Sequence, residues 1–144
     1  MNLLAAVPSS IDVDIRYKIK IGDIRELGDY KKLIIWQKSM DLTVEIYSLV
    51  KLLPKEETYA LSDQMRRAVV SIPSNIAEGR GRLYHKEFFQ FLSISRGSLY
   101  EIETQLEICE RLNYIDKTKT NKAKSIIVEI SKMLNALAVS LETK

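Results

Sequence analysis

One cysteine and one histidine stand among 144 residues, too few to supply a zinc site from those side chains or to close an internal disulfide. A di-iron bundle needs a Glu-x-x-His pair on each of two helices, so the single His85 excludes that as well. The lone Cys109 fits a reducing compartment. No apolar run reaches the roughly 18 residues of a membrane span, and no basic region followed by an apolar block opens the chain. Neither a span nor a signal peptide is therefore indicated, and a cytoplasmic location is expected. There is no glycine-rich phosphate loop, no low-complexity tract and no internal repeat. An excess of one charge sign is also missing: the formal charge is +3, so the total says little about nucleic acid and its distribution must decide.

What is present reads as one ordinary globular domain, 46% apolar and 28% charged, long enough to bury a core. Residues 1–29 stand apart. From Ile11 to Ile21 the stretch IDVDIRYKIKI alternates apolar and polar residues without exception, the period of a half-buried strand. No second strand pattern exists to pair with it, so this N-terminal extended arm reads as disordered, as a strand added to a partner, or as residues translated from upstream.

Residues 30–144 carry helical periodicity throughout. From Tyr30 to Leu53 one apolar arc holds Leu33, Trp36, Met40, Val44, Tyr47 and Val50, and another holds Ile35, Leu42, Ile46, Leu49 and Leu53. Together they are wider than a single surface helix needs. Pro54 marks a boundary, and Lys55, Glu56 and Glu57 put acid near the positive end of the next helix. Leu61 to Arg82 has an apolar row at Met65, Val69, Ile72, Ile76 and Gly79 and a polar row at Gln64, Arg67, Ser71, Asn75 and Glu78. Pro73 should bend this helix near Val69 and Val70, and Gly79 and Gly81 should close it with positive φ. Leu83 to Asn113 repeats with a four-three spacing at Phe88, Leu92, Ser95, Leu99, Ile102, Leu106 and Cys109, a bundle seam. Asn113 suits a left-handed cap, and Asp116 or Thr118 can start a last amphipathic helix with Ala123, Ile126, Ile127, Ile130, Met133, Leu134, Leu137 and Leu141 on one face. Short connections make neighbours antiparallel, so the expected fold is all-α, an up-down-up-down four-helix bundle.

Catalytic chemistry finds no good constellation. Ser71 has no histidine near it in sequence, Cys109 lies on the apolar seam, and His85 stands between Tyr84 and Lys86 at a helix start. Charge is more informative. Between Arg66 and Arg96 six basic residues face two acids, Glu78 and Glu87, for a local +4. Arg66, Arg67, Arg80, Arg82, His85 and Lys86 are the candidates for phosphate contact, arginine being suited by its planar fork. Arg66 or Arg67 could instead pair with Asp63, Glu101 or an acid of another helix. Gln64, Ser71, Asn75 and Glu78 read as a structural polar network or a subunit contact.

At these residues the chain resembles the four-helix-bundle proteins encoded in intervening sequences of bacterial 23S ribosomal RNA genes. The likeness lies in KLIIWQKSMDL at 32–42, LP followed by Glu57, LSDQMRRAVVSIPSNIAEGRGR at 61–82 and EFFQFLSISRGSLYEIETQLEI at 87–108, within residues 30–142. Trp36, Gln64, Arg66, Arg67, Ser71, Asn75, Glu78 and Gly79 carry it, and Gly97, Ser98 and Glu101 extend it. The resemblance implies an antiparallel bundle assembling as a homopentamer, similar in fold to the nucleic-acid-binding accessory protein of diversity-generating retroelements, with no established enzymatic activity. A pentamer would account for the surplus apolar arc and the off-seam aromatics, because a monomer exposing Ile35, Leu42, Ile46, Phe89 and Tyr100 would carry a large apolar patch. The expected function is thus a non-catalytic oligomeric scaffold that binds RNA or DNA largely without regard to sequence, with no metal, cofactor or membrane. The alternative is a protein-protein interaction module whose charges serve subunit pairing.

Overall fold

The computed structural model describes residues 29–142, so the arm expected at residues 1–29, with its alternating stretch, lies outside the described residues except for Asp29. A 3-10 turn at Tyr30–Lys32 leads into α1 (Ile34–Val50), and a second at Lys55–Glu57 precedes α2 (Leu61–Arg80), α3 (His85–Arg111) and α4 (Lys117–Glu142). At 1.5 Å per residue the helices are about 26, 30, 40 and 39 Å long, similar enough to lie side by side.

The boundaries follow from local chemistry. The first helix is shorter than its periodicity suggests: Leu33 takes an extended conformation after the Tyr30 turn, whose Asp29 carboxylate accepts from Lys31 N at 2.9 Å. At the other end Leu52 N and Leu53 N bond back three residues, to Leu49 and Val50 carbonyls, and Pro54 stops the chain from continuing. Glu57 then fulfils the expected acidic role, its carboxylate accepting from Leu61 N at 3.2 Å at the positive end of α2. Asp116 does the same for α4 by accepting from Thr118 N at 2.8 Å and from the Thr118 hydroxyl at 2.7 Å. These two bonds hold the Asp116 carboxyl below its usual range. Asn113 turns out of α3 with φ 58°, as its residue type allows.

Cross-helix pairs fix the directions. Met65 meets Cys109, Ser71 meets Ser98 and Gly79 meets Phe91, so numbers rise along α2 as they fall along α3. Glu45 with Lys122 and Lys38 with Glu129 set α1 against α4 in the same way, and Glu110 with Lys124 sets α3 against α4. The result is the antiparallel up-down-up-down bundle, with no strand among the described residues.

The seams of α2, α3 and α4 are buried as the periodicity requires. On α1 the core face is Ile35, Leu42, Ile46 and Leu49, joined by Leu33 and Val50. That corrects one expectation: Ile35, Leu42 and Ile46 are interior residues of a single subunit, and the apolar residues left on the surface are Met40, Val44 and Tyr47. Phe89 is half-buried against the core and only Tyr100 of that set is exposed.

The glycines of α2 also act differently from their sequence reading. Gly81 caps the helix at φ −75°, an ordinary right-handed value, and no left-handed glycine is needed because Gly81 N reaches the Ala77 and Glu78 carbonyls directly. Gly79 is a packing residue, since a Cβ there would stand 2.5 Å from Phe91 Cβ. The bare backbone lets α3 approach. Pro73 sits inside an uninterrupted helix. The Val69 carbonyl, which loses its usual donor at Pro73, faces the Thr43 hydroxyl of α1 at 3.5 Å.

Candidate nucleic-acid interface

The bundle has two ends, and the candidate basic residues are distributed between them by the rise of α2. Arg66 and Arg67 lie in its first half. Arg80 ends it, and Arg82, His85 and Lys86 follow in the turn and the start of α3. Fourteen residues separate Arg66 from Arg80, so the two groups stand about 21 Å apart along the helix. They form two sites rather than one continuous patch.

Each cation has its own local fate. The Arg66 guanidinium donates to the Thr58 carbonyl at 3.1 Å, tying the loop to α2. Arg67 pairs with Asp63 at 3.0 Å across one helical turn, the pairing weighed from sequence, and its side chain stays largely in water. Exposed pairs of this kind contribute little stability and leave the cation available to compete for a phosphate. Arg82 pairs with Glu78 at 3.0 Å and lies 4.9 Å from the Phe91 ring centroid. Arg96 donates to the Tyr100 hydroxyl at 3.2 Å, which pulls that phenol below its usual range, so its partner is an aromatic residue and not an acid. Arg80 is half-buried, whereas Lys86 is exposed and makes no ion pair among the described residues.

The polar row of α2 divides in two. Asn75 Nδ2 donates to the Ser71 carbonyl at 2.7 Å and to Ser71 Oγ at 2.9 Å, and Ser98 Oγ of α3 reaches Ser71 Oγ at 2.9 Å. This is a half-buried network that fixes the α2–α3 register. Glu78 is not part of it: the side chain is exposed and belongs to Arg82. Gln64 and Arg67 instead flank a groove of about 300 Å³ bounded by Ala68, Ser71, Ser98 and Glu101. The Ser71 hydroxyl is bonded to an amide and a hydroxyl, neither of which is a base that could activate it as a nucleophile.

Cys109 is fully buried, its sulfur 3.7 Å from Met65 Sδ, and burial pushes its thiol up to about 11. That makes it an inert core residue. No group of three or more His, Cys, Asp or Glu among the described residues could hold a metal ion, and no described helix is long and apolar enough to cross a membrane.

Two features had no clear sequence signal. One is an interior charge cluster: the Glu110 side chain, 2% exposed, takes Lys124 Nζ at 2.6 Å and the Thr120 hydroxyl at 2.5 Å. Lys124 foremost, then Thr120, holds this carboxyl below its usual range despite burial. The other is a groove of about 530 Å³ where Leu83, Tyr84, His85, Lys86 and Phe89 meet Leu141 and Glu142 from the far end of the chain. Periodicity marks neither, because both join residues of different helices.

Comparison with known proteins places this geometry. Residues 31–136 match the model of the 23S rRNA-intervening sequence protein family. The fold is similar to the crystal structure of a protein of unknown function from the S23 ribosomal protein family of Bacteroides thetaiotaomicron VPI-5482. That similarity has a TM-score of 0.67 at 28% identity, and covers 72% of this chain and 97% of the other. No curated protein matches the chain.

Proposed function

The chain belongs to the family of 23S rRNA-intervening sequence proteins, and on that premise we propose that it is a non-catalytic, self-associating scaffold that binds RNA or DNA. The observation that carries the reading is the local +4 between Arg66 and Arg96, larger than the +3 of the whole chain. It lies on α2, α3 and the turn between them, with Arg67, Arg82, Lys86 and Arg96 all exposed. Phosphate contact of this kind recognises backbone, so binding is largely independent of sequence and falls steeply with salt.

Self-association is supported by the surface of α1 and α2. Val44 is 70% exposed, and with Met40, Tyr47 and Val70 it forms an apolar strip beside a groove of about 360 Å³ lined by Tyr30, Trp36, Thr43, Pro73 and Ala77. Contiguous apolar surface of this kind marks an interaction site. A heterologous contact that closes makes a ring, and the pentamer implied by the sequence resemblance is the proposed form. A ring repeats each subunit's two basic sites around its axis, so two modest sites become multivalent.

Gel-shift titration of structured RNA and duplex DNA at two salt concentrations tests the reading. Retardation at low salt that fades as salt rises is expected, and a folded protein that retards neither probe at low salt would overturn it. A protein-docking module is the second reading, favoured by the internal pairing of Arg67 with Asp63 and Arg82 with Glu78. Under it, Arg66→Ala with Lys86→Ala leaves nucleic-acid binding unchanged.

A further inference from the structure

The groove at the α2–α3 turn brings two aromatic residues, Tyr84 and Phe89, together with the Lys86 cation and the Glu142 carboxylate. Tyr84 is 69% exposed and Leu83 85% exposed, so both present apolar surface to an incoming molecule. Behind them Phe89 is half-buried, and Leu141 closes the floor from α4. The volume of about 530 Å³ falls within the usual range for sites that hold small molecules, about 300–1,000 Å³.

The charges around it have an order. Lys86 is exposed on the groove wall without an ion pair among the described residues, and Arg82 stands just before Leu83, held by Glu78 at 3.0 Å in an exposed pair that a stronger anion can open. Glu142 lines the opposite side. A phosphate is favoured beside Lys86 and repelled beside Glu142, whereas an amino group is favoured beside Glu142. An occupant must therefore be flat and apolar at its centre, anionic on one flank and a hydrogen-bond donor on the other.

An unpaired nucleotide has that profile. Its base stacks on aromatic side chains, its phosphate meets a cation, and the exocyclic amine of cytosine donates to a carboxylate. A paired base cannot enter, because both its faces are stacked within the duplex. We infer that the groove of Leu83, Tyr84, Lys86, Phe89, Leu141 and Glu142 is a stacking site for an unpaired base of single-stranded nucleic acid. This rests on the nucleic-acid reading above and adds to it a preference for single strands. Backbone contact at Arg66 and Arg67 serves single and double strands alike, and Tyr84 serves only the former.

Fluorescence anisotropy with a labelled cytidine decamer and a blunt RNA duplex of the same length separates the two layers, using the full chain at low salt. The parent protein should bind the decamer more tightly than the duplex. Tyr84→Ala should weaken decamer binding about 5- to 10-fold, the lower part of the range for losing one stacked base, and change duplex binding less than 2-fold. Lys86→Ala should weaken both. Because Tyr84 is on the surface, its replacement leaves the fold intact, which circular dichroism checks. Equal effects of Tyr84→Ala on the two probes, or none on the decamer, would overturn the stacking site while leaving duplex binding in place. If neither probe binds, the nucleic-acid reading itself fails.

Discussion

Gly79→Ala and Gly97→Ala are one chemical change made in two neighbouring helices, and the structure gives them opposite signs. At Gly79 the new methyl would lie 2.5 Å from Phe91 Cβ and 3.1 Å from Phe88 Cδ1. A Cβ cannot rotate away, and Phe91 Cβ is equally fixed to its backbone, so α2 and α3 must separate locally. Overpacking of this kind costs about 1–3 kcal/mol, and the rigid contact argues for the upper half of that range. Alanine returns about 0.8–1 kcal/mol of helix propensity. The net expectation is a loss of about 1–2 kcal/mol, or a Tm lower by about 3–8 °C for a chain of this size. At Gly97 a Cβ meets nothing within 4 Å, so the propensity gain stands alone and the protein gains up to about 1 kcal/mol. Denaturant unfolding of both variants at one fixed protein concentration reads the two signs, since self-association raises apparent stability with concentration. A Gly79→Ala protein at least as stable as its parent would refute the close-approach argument. A destabilised Gly97→Ala protein would refute the assignment of Gly97 to open surface and place another helix against it.

Glu110→Gln should lower stability by about 1–2 kcal/mol at pH 7, less than a fully buried ion pair because Lys124 is 38% exposed and can turn to water. Since the folded Glu110 carboxyl is held below the unfolded value of about 4.3, its stabilisation is complete above that pH and is lost as pH falls through the folded pKa. The parent and Glu110→Gln unfolding curves should therefore converge in acid, and a gap that stays constant down to pH 3 would contradict the assignment. Cys109, with its thiol near 11, should be about one-thousandth thiolate at pH 8 and should react with a thiol reagent only as fast as the protein unfolds. Rapid stoichiometric labelling of the native protein would show that the thiol is not in the core. Val44→Lys places a charge in the exposed apolar strip and should reduce the oligomeric mass without lowering helix content, as light scattering and circular dichroism together would report.

The seam of α3, from Phe88 to Cys109, could be read residue by residue because a four-three repeat admits only one buried face on a long helix. The helix α1 was harder. Its two apolar arcs satisfy the same periodicity, and only the positions of α2 and α4 decide that Leu42 and Ile46 go inside while Val44 and Tyr47 stay out. Gly79 illustrates a second limit. A glycine near a helix end suggests a left-handed closure, yet its role is set by Phe91, a contact that lies outside any local pattern. The basic residues show a third. Arg66 and Arg67 stand at one level and Arg80, Arg82 and Lys86 at another, a division that follows from the rise of a helix, while the partners each cation takes, Thr58, Asp63 and Glu78 among them, do not. Asn75 and Glu78 belong to one polar row, and only their partners in the folded chain, Ser71 for the first and Arg82 for the second, distinguish them.

The central claim is that copies of this chain meet through the strip of Met40, Val44, Tyr47 and Val70 and thereby bring their basic sites together. Light scattering coupled to size exclusion, on the nuclease-treated protein in moderate salt, measures it most directly. The account predicts a mass of about 83 kDa, five times the 16.6 kDa of one chain. A monodisperse species of one chain's mass in that buffer would contradict it.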